Sequence, residues 1–170
     1  PFETPISDYA LYTSTLLYPI PLTLVNARDP YRYYPAISGC VTAIGERPLT
    51  SLDPDLMVRY TFYEVLTNLV GVLLDRERIT LSANWMWPNP HRDSIEGGRM
   101  YQAAQTLSTL CQEANIVIDG GKDSLSMCVE ETKSPGTLVL TAYAKVKDIS
   151  VRLQPYFQCS NSDVWFVPFP

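Results

Sequence analysis

Glu64 and Asn68 stand four residues apart in a segment of helical character, so their side chains leave the same side of a helix. At about 100° per residue they sit at the edge of its apolar stripe rather than on the solvated face opposite. A carboxylate and a carboxamide offering oxygen from a half-buried position suit a hard cation such as Mg²⁺. A boundary glutamate bonded to a neighbouring backbone group or arginine is the plainer alternative. Asp8, in Pro5-Ile6-Ser7-Asp8-Tyr9-Ala10, lies at the mouth of an apolar strand, where an aspartate serves a metal or phosphate site or else caps a turn. The third candidate is Asp119-Gly120-Gly121-Lys122-Asp123-Ser124-Leu125-Ser126-Met127. A glycine pair after a short apolar run lets backbone come close to a ligand, and a lysine and a serine follow as a phosphate would want. The segment lacks the G-x-x-x-x-G-K-S/T pattern of nucleotide-binding phosphate loops, and a tight turn with exposed polar residues also accounts for it.

Other chemistry finds little support. The single histidine, His91, sits in a Pro/Asn-rich loop and reads as a surface residue, so a Cys–His or Ser–His–Asp arrangement has no clear base. Trp85 and Trp87 could stack a base, but packing at a strand end fits them better.

The elements that position these residues follow from periodicity and punctuation. Ile6 to Leu17 is β-branched and aromatic and predicts a strand leading into a loop. Residues 18–35 are proline-rich and read as a long loop or insertion. A short helix is expected over about Pro35 to Ile44, stopped by Gly45 and Pro48. The strongest helix runs from Pro54 to about Leu74, with Asp53 as N-cap and Pro54 at the first helical position. Leu56, Tyr60, Tyr63, Thr67, Val70 and Leu74 form its expected buried stripe. Ile79 to Ala83 predicts a strand, and Gly98 to Ala114 a second helix with Met100, Ala103, Ala104, Leu107 and Leu110 facing one way. Ile116 to Ile118 reads as a short buried strand ending in the glycine pair, Leu138 to Val146 as a longer strand, and Val164 to Val167 as the start of another. The mixture indicates a layered α+β domain, helices on a mixed sheet, without repeats or low-complexity sequence.

Composition narrows the class. The chain has 170 residues, 46% apolar and 18% charged, with a net charge of −5, which is globular rather than disordered. It shows no basic stripe of the kind that grips nucleic acid. No apolar run approaches the roughly 20 residues of a membrane span, and no signal peptide opens the chain, so the expected location is the cytoplasm. Cys40, Cys111, Cys128 and Cys159 are irregularly spaced and contain no C-x-x-C, which predicts reduced, mostly buried thiols without a structural bridge. The chain opens at Pro1 and closes just after the apolar run from Val164 to Val167, and reads as an internal piece of a longer protein.

Several of these segments together resemble one family. Thr42-Ala43-Ile44-Gly45-Glu46-Arg47-Pro48, Glu64-Val65-Leu66-Thr67-Asn68-Leu69, Leu81-Ser82-Ala83-Asn84-Trp85-Met86-Trp87, the Asp119 to Met127 segment and Ser134-Pro135-Gly136-Thr137-Leu138-Val139 are similar to the synthetase portion of the phosphoribosylformylglycinamidine synthase family. The likeness spans about residues 3–155. It implies an aminoimidazole-ribonucleotide-synthetase-like N-terminal subdomain over residues 1–155, taken from the second half of the synthetase domain, with 156–170 starting the next subdomain. Such an enzyme uses ATP, glutamine and formylglycinamide ribonucleotide to make formylglycinamidine ribonucleotide in purine biosynthesis. It works through two synthetase halves and a glutaminase domain.

The resemblance also implies ligands. The family places Mg²⁺ on an aspartate of a P-L/I-A-D motif and on the Glu and Asn of an E-x-L-T-N motif, which fall on Asp8, Glu64 and Asn68. The residue before the aspartate, here Ser7, contacts the nucleotide, ATP or ADP. Lys122 and Asp123 are further nucleotide-site candidates. Family resemblance suggests that this second-half nucleotide is largely structural. The isolated chain is expected to be inactive as a ligase, because the substrate site of the family is built against the partner half. Ser7 replaces the usual alanine, the stretch from Tyr12 to Ser38 is longer than the family connection, and the loop after Trp87 is extended. Two other classes of function stand beside the enzyme reading: a catalytically inactive relative kept as a binding or scaffold protein, and a nucleotide-binding module acting alone.

Overall fold

In the computed structural model of the chain, the described residues are 9–13, 38–74, 79–149 and 151–153, with 157, 160–161, 163–166 and 168 beyond them. A five-stranded sheet is built from β1 (Tyr9–Thr13), β2 (Gly39–Glu46), β7 (Thr137–Val146), β3 (Thr80–Met86) and β4 (Val117–Ser124), in that spatial order. β3 and β4 are parallel and joined through helix α2 (Ser94–Ala114); the remaining neighbours are antiparallel. Helix α1 (Pro54–Thr67) packs on β2, β7 and α2. A two-stranded ribbon, β5 (Cys128–Val129) with β6 (Thr132–Lys133), precedes β7. The α+β architecture expected from sequence is therefore the one observed.

The sheet is two-faced because successive side chains of a strand point to opposite sides. On β7, Leu138, Leu140, Ala142, Ala144 and Val146 are buried while Tyr143 and Lys145 are not. Val41 and Ala43 of β2 and Leu81 and Ala83 of β3 join them under the helices. From above, α1 contributes Met57, Val58, Phe62 and Val65, and α2 contributes Ala103, Leu107, Leu110 and Cys111. Both helices start on aspartate caps. Asp53 accepts from Leu56 N–H at 3.0 Å, and Asp93 from Ile95 N–H at 3.0 Å, each satisfying a donor the helix cannot. Asn115 ends α2 in the left-handed region at φ 53°, a conformation asparagine tolerates better than most residues. Trp87 is fully buried, with Gly136 flush against its ring and its Nε1–H donating to Glu96 O at 3.1 Å. Its role is packing, as expected.

Several expectations are corrected. The helix expected over Pro35 to Ile44 is strand β2 where it is described, because β7 pairs with its whole length and β1 with Gly39 to Ala43. Helix α1 stops at Thr67 rather than Leu74, and its expected stripe is inverted. Leu56, Tyr60, Tyr63 and Val70 are exposed, and Met57, Thr61, Val65 and Leu69 take the sheet. The helix is apolar on two sides, so periodicity alone admits either face. Helix α2 begins at Ser94 rather than Gly98, and Ala104 is exposed.

Of the run Ile116 to Ile118, only Ile116 is buried, and it precedes the strand, whose Val117 and Ile118 are exposed. β4 continues through the glycine pair to Ser124 as an exposed edge. A register shift opposite Leu81 and Ser82 absorbs Asp119. Val164 to Phe166 lie outside any strand and are exposed. Cys111 is buried, but Cys40 and Cys128 are exposed; all three are free thiols. His91 is exposed, as expected. The expected insertion, residues 18–35, and Cys159 fall outside the described residues.

Candidate functional site

The end of α1 is riveted to β2 by the two side chains singled out in the sequence. Glu64 Oε2 accepts the backbone N–H of Glu46 at 2.8 Å. One turn later, Asn68 Nδ2 donates to the carbonyl of Ile44 at 2.9 Å. Between these two anchor points lies Gly45, where a Cβ would sit 2.4 Å from Thr61 O and 2.6 Å from Val65 N. Only a residue without a side chain lets helix backbone rest on strand backbone at this distance. The glycine thus sets the approach, and the i, i+4 pair uses it.

Each rivet leaves one oxygen in reserve. Glu64 Oε1 makes no hydrogen bond among the described residues; its nearest cation is Arg47, with Nη2 at 3.7 Å. Asn68 spends its amide donor on Ile44, so its Oδ1 remains an acceptor. Glu64 is partly buried, with 28% of its side chain exposed. A cleft of about 430 Å³ opens beside these groups, lined by Tyr9, Ala10, Thr42, Ile44, Glu46, Glu64 and Asn68.

Asn68 caps the C-terminus of α1, and no basic residue occupies the last turn. The negative end of the helix dipole therefore faces this corner and favours a cation over a bare anion. Oxygen-only donors, one anionic and one neutral, fit Mg²⁺ better than a soft metal. Among the described residues no three His, Cys, Asp or Glu side chains converge as a metal cluster.

The other sequence candidates fall elsewhere. Ser7 and Asp8 lie outside the described residues; their chain neighbour Tyr9 lines the cleft and is pinned by its hydroxyl, which donates to Leu153 O at 2.7 Å. Lys122 and Asp123 are not brought to Glu64. They belong to β4, at the edge of the sheet, with β7 and β3 between them and β2. Lys122 is exposed and reaches Ser124 Oγ at 3.2 Å on its own strand. Gly121 has a backbone reason to be glycine: at φ +154°, a Cβ would lie 1.9 Å from Ala83 O.

Two residues that sequence reading passed over belong to the cleft corner, Glu46 on its wall and Arg47 beside Glu64. The proximity of Arg47 to the helix was hidden because it depends on the pairing of β2 rather than on local spacing. No helix among the described residues is long and apolar enough to cross a membrane.

Comparison with known proteins bears on the family and the fold. The chain is 37% identical over 161 residues to phosphoribosylformylglycinamidine synthase of Drosophila melanogaster, covering 91% of this chain and 10% of that protein. It is 32% identical over 161 residues to the Homo sapiens synthase, again covering 91% of this chain and 10% of the relative. The chain thus spans about a tenth of the length of these curated relatives. Among solved structures, Thermotoga maritima PurL complexed with ATP matches at a TM-score of 0.55 and 20% identity, over 68% of this chain and 19% of that one. PurL complexed with FGAR matches equally well, with a TM-score of 0.55 and 20% identity over 68% of this chain and 18% of its own. These two likenesses concern the fold. The family profile described as the FGAR-AT PurM_N-like domain matches residues 2–145, and the chain belongs to that family.

Proposed function

We propose that this chain is a domain of a phosphoribosylformylglycinamidine synthase. The full-length protein would be an ATP-dependent ligase converting formylglycinamide ribonucleotide to formylglycinamidine ribonucleotide with glutamine as nitrogen donor, in the cytoplasm. Family membership and the names of the curated relatives support this reading. The domain is read as residues 1–155, with a following subdomain from 156. The first synthetase half and the glutaminase domain would be supplied by the rest of the full-length protein, so the isolated chain is expected to be inactive as a ligase.

The contribution proposed for this domain is to hold a magnesium-bound nucleotide, ATP or ADP, in the cleft at the end of α1. The observation that carries it is the rivet: Glu64 and Asn68 are each fixed by one polar atom to β2, and each presents a remaining oxygen beside the same cleft. Asp8, next in the chain to Tyr9, completes the ligand set, and Ser7 meets the nucleotide through its backbone. Mg²⁺ supplies positive charge between carboxylates and phosphate oxygens that would otherwise repel. The residues of the chain orient and neutralise; none is assigned a proton-transfer step. Lys122 and Asp123, at the far edge of the sheet, are read as contacts to another part of the nucleotide or of the full-length protein.

The test is Glu64→Gln in the full-length protein. A glutamine oxygen still accepts from Glu46 N–H, so the fold is kept while the anionic ligand is removed. Magnesium-dependent ADP affinity is expected to fall at least about tenfold, the equivalent of one lost charge-assisted contact. Saturating ADP should then raise the melting temperature of the variant less than that of the wild type. Unchanged Mg²⁺-dependent ADP binding would remove the site from this cleft.

A further inference from the structure

We propose that Arg47 is a phosphate-binding residue of the same cleft, contacting the anion held by the Glu64 and Asn68 corner. The inference rests on reading that corner as a cation–polyphosphate site.

The backbone of Arg47 is held from both sides. Its carbonyl accepts from Thr50 N–H at 3.2 Å and from Thr50 Oγ1 at 3.0 Å. The preceding residue is held through its N–H by Glu64, and Pro48 follows. The side chain therefore starts from a fixed point next to the cleft, as a recognition residue requires. Its head, by contrast, makes no hydrogen bond among the described residues. Among the described residues its carboxylate neighbour is Glu64 Oε1, 3.7 Å away, and the Arg47 side chain is 51% exposed. A charge-assisted hydrogen bond would be about 2.7 to 2.9 Å long.

Two other arginines show what engagement looks like: Arg59 reaches Asp55 at 2.8 Å, and Arg99 reaches Glu96 at 2.8 Å. Arg47 donates no hydrogen bond among the described residues. Its guanidinium keeps all five donors in a planar fork suited to two phosphate oxygens at once.

Charge supports the same assignment. Glu46 and Glu64 both flank the cleft, so a divalent cation bound there meets a wall that is already anionic. A polyphosphate adds further negative charge on the open side, and a guanidinium within reach offsets it. A purely structural role, holding Glu64 in place, is poorly served by a long, half-exposed pair. Pairs of that kind contribute little, and Glu46 N–H already anchors the carboxylate.

The experiment compares full-length wild type with Arg47→Ala, Arg47→Lys and Glu64→Gln. Three probes are titrated: Mg²⁺·ADP, adenosine, and Mn²⁺ alone followed by its paramagnetic resonance signal. Arg47→Ala should weaken Mg²⁺·ADP binding about tenfold or more and leave adenosine binding unchanged. It should bind Mn²⁺ alone at least as well as wild type, because a competing positive charge has been removed from Glu64. Arg47→Lys should restore part of the ADP affinity.

A variant that loses adenosine and Mn²⁺ along with ADP would show a structural role and overturn the proposal. So would ADP affinity within twofold of wild type in Arg47→Ala while Glu64→Gln binds poorly, a result that leaves the cleft reading standing. Normal ADP binding in Glu64→Gln would sink the cleft reading and this inference together.

Discussion

Replacing Gly45 by alanine places a methyl carbon 2.4 Å from Thr61 O, 2.6 Å from Val65 N and 3.0 Å from Val65 Cβ. Two of these atoms are helix backbone, so no rotamer change relieves the overlap, and α1 must lift from β2 by roughly an ångström to restore ordinary contact. The Glu64 and Asn68 bonds to β2 are 2.8 and 2.9 Å long. A displacement of that size takes both past the roughly 3.5 Å at which a hydrogen bond ceases to count. Overpacking of this kind costs about 1 to 3 kcal/mol. The two bonds, one of them to a carboxylate, add about 2 to 3 kcal/mol once solvent replaces part of each. The terms overlap, so the expected loss is on the order of 3 to 5 kcal/mol.

Hydrogen exchange of the full-length protein, read by mass spectrometry, localises the effect. Peptides covering β2 and the end of α1 should exchange faster in Gly45→Ala, while β3 and α2 stay protected. Magnesium-dependent ADP binding should weaken in parallel, since both proposed ligands lose their anchors. Gly98→Ala is the matched control. Nothing lies within 4 Å of its Cβ position inside α2, and a helical alanine there should stabilise by about 0.5 to 1 kcal/mol. If Gly45→Ala behaved like Gly98→Ala, the backbone-contact account of this corner would be wrong.

Gly121→Ala should detach the β4 edge, because φ +154° and a 1.9 Å approach to Ala83 O both exclude a side chain. Faster exchange confined to residues 117–124 checks this, and unchanged protection there refutes it. Asp55 links the helices through Thr106, whose hydroxyl donates to it at 2.8 Å. The hydrogen bond from Arg59, then that from Thr106, holds its carboxyl below the ordinary value of 3.8. A lowered folded pKa means stability that is present above pH 3.8 and lost as pH falls through the folded value. An acid titration should therefore show Thr106→Val converging with wild type at the low-pH end. A gap between them that is constant down to pH 2 would point to packing instead.

Parts of this protein are legible along the chain. Asp53-Pro54 announces the start of α1 because capping and proline geometry are local. The apolar, β-branched and aromatic run from Leu138 to Val146 declares a strand. The i, i+4 spacing of Glu64 and Asn68 guarantees that they leave the helix together, whatever packs around it.

Tertiary structure decided the rest, because the deciding partners are distant in sequence. Gly39 to Glu46 became a strand because β1 and β7 claim both of its edges. The buried side of α1 was chosen by the flat backbone at Gly45, which admits the Thr61 and Val65 side and leaves Tyr60 and Tyr63 outside. Lys122 and Glu64 look like members of one constellation in the sequence, but strand order places two strands between β2 and β4. Arg47 has no local sign of chemistry at all, and its place beside Glu64 exists only because the end of β2 lies against the end of α1.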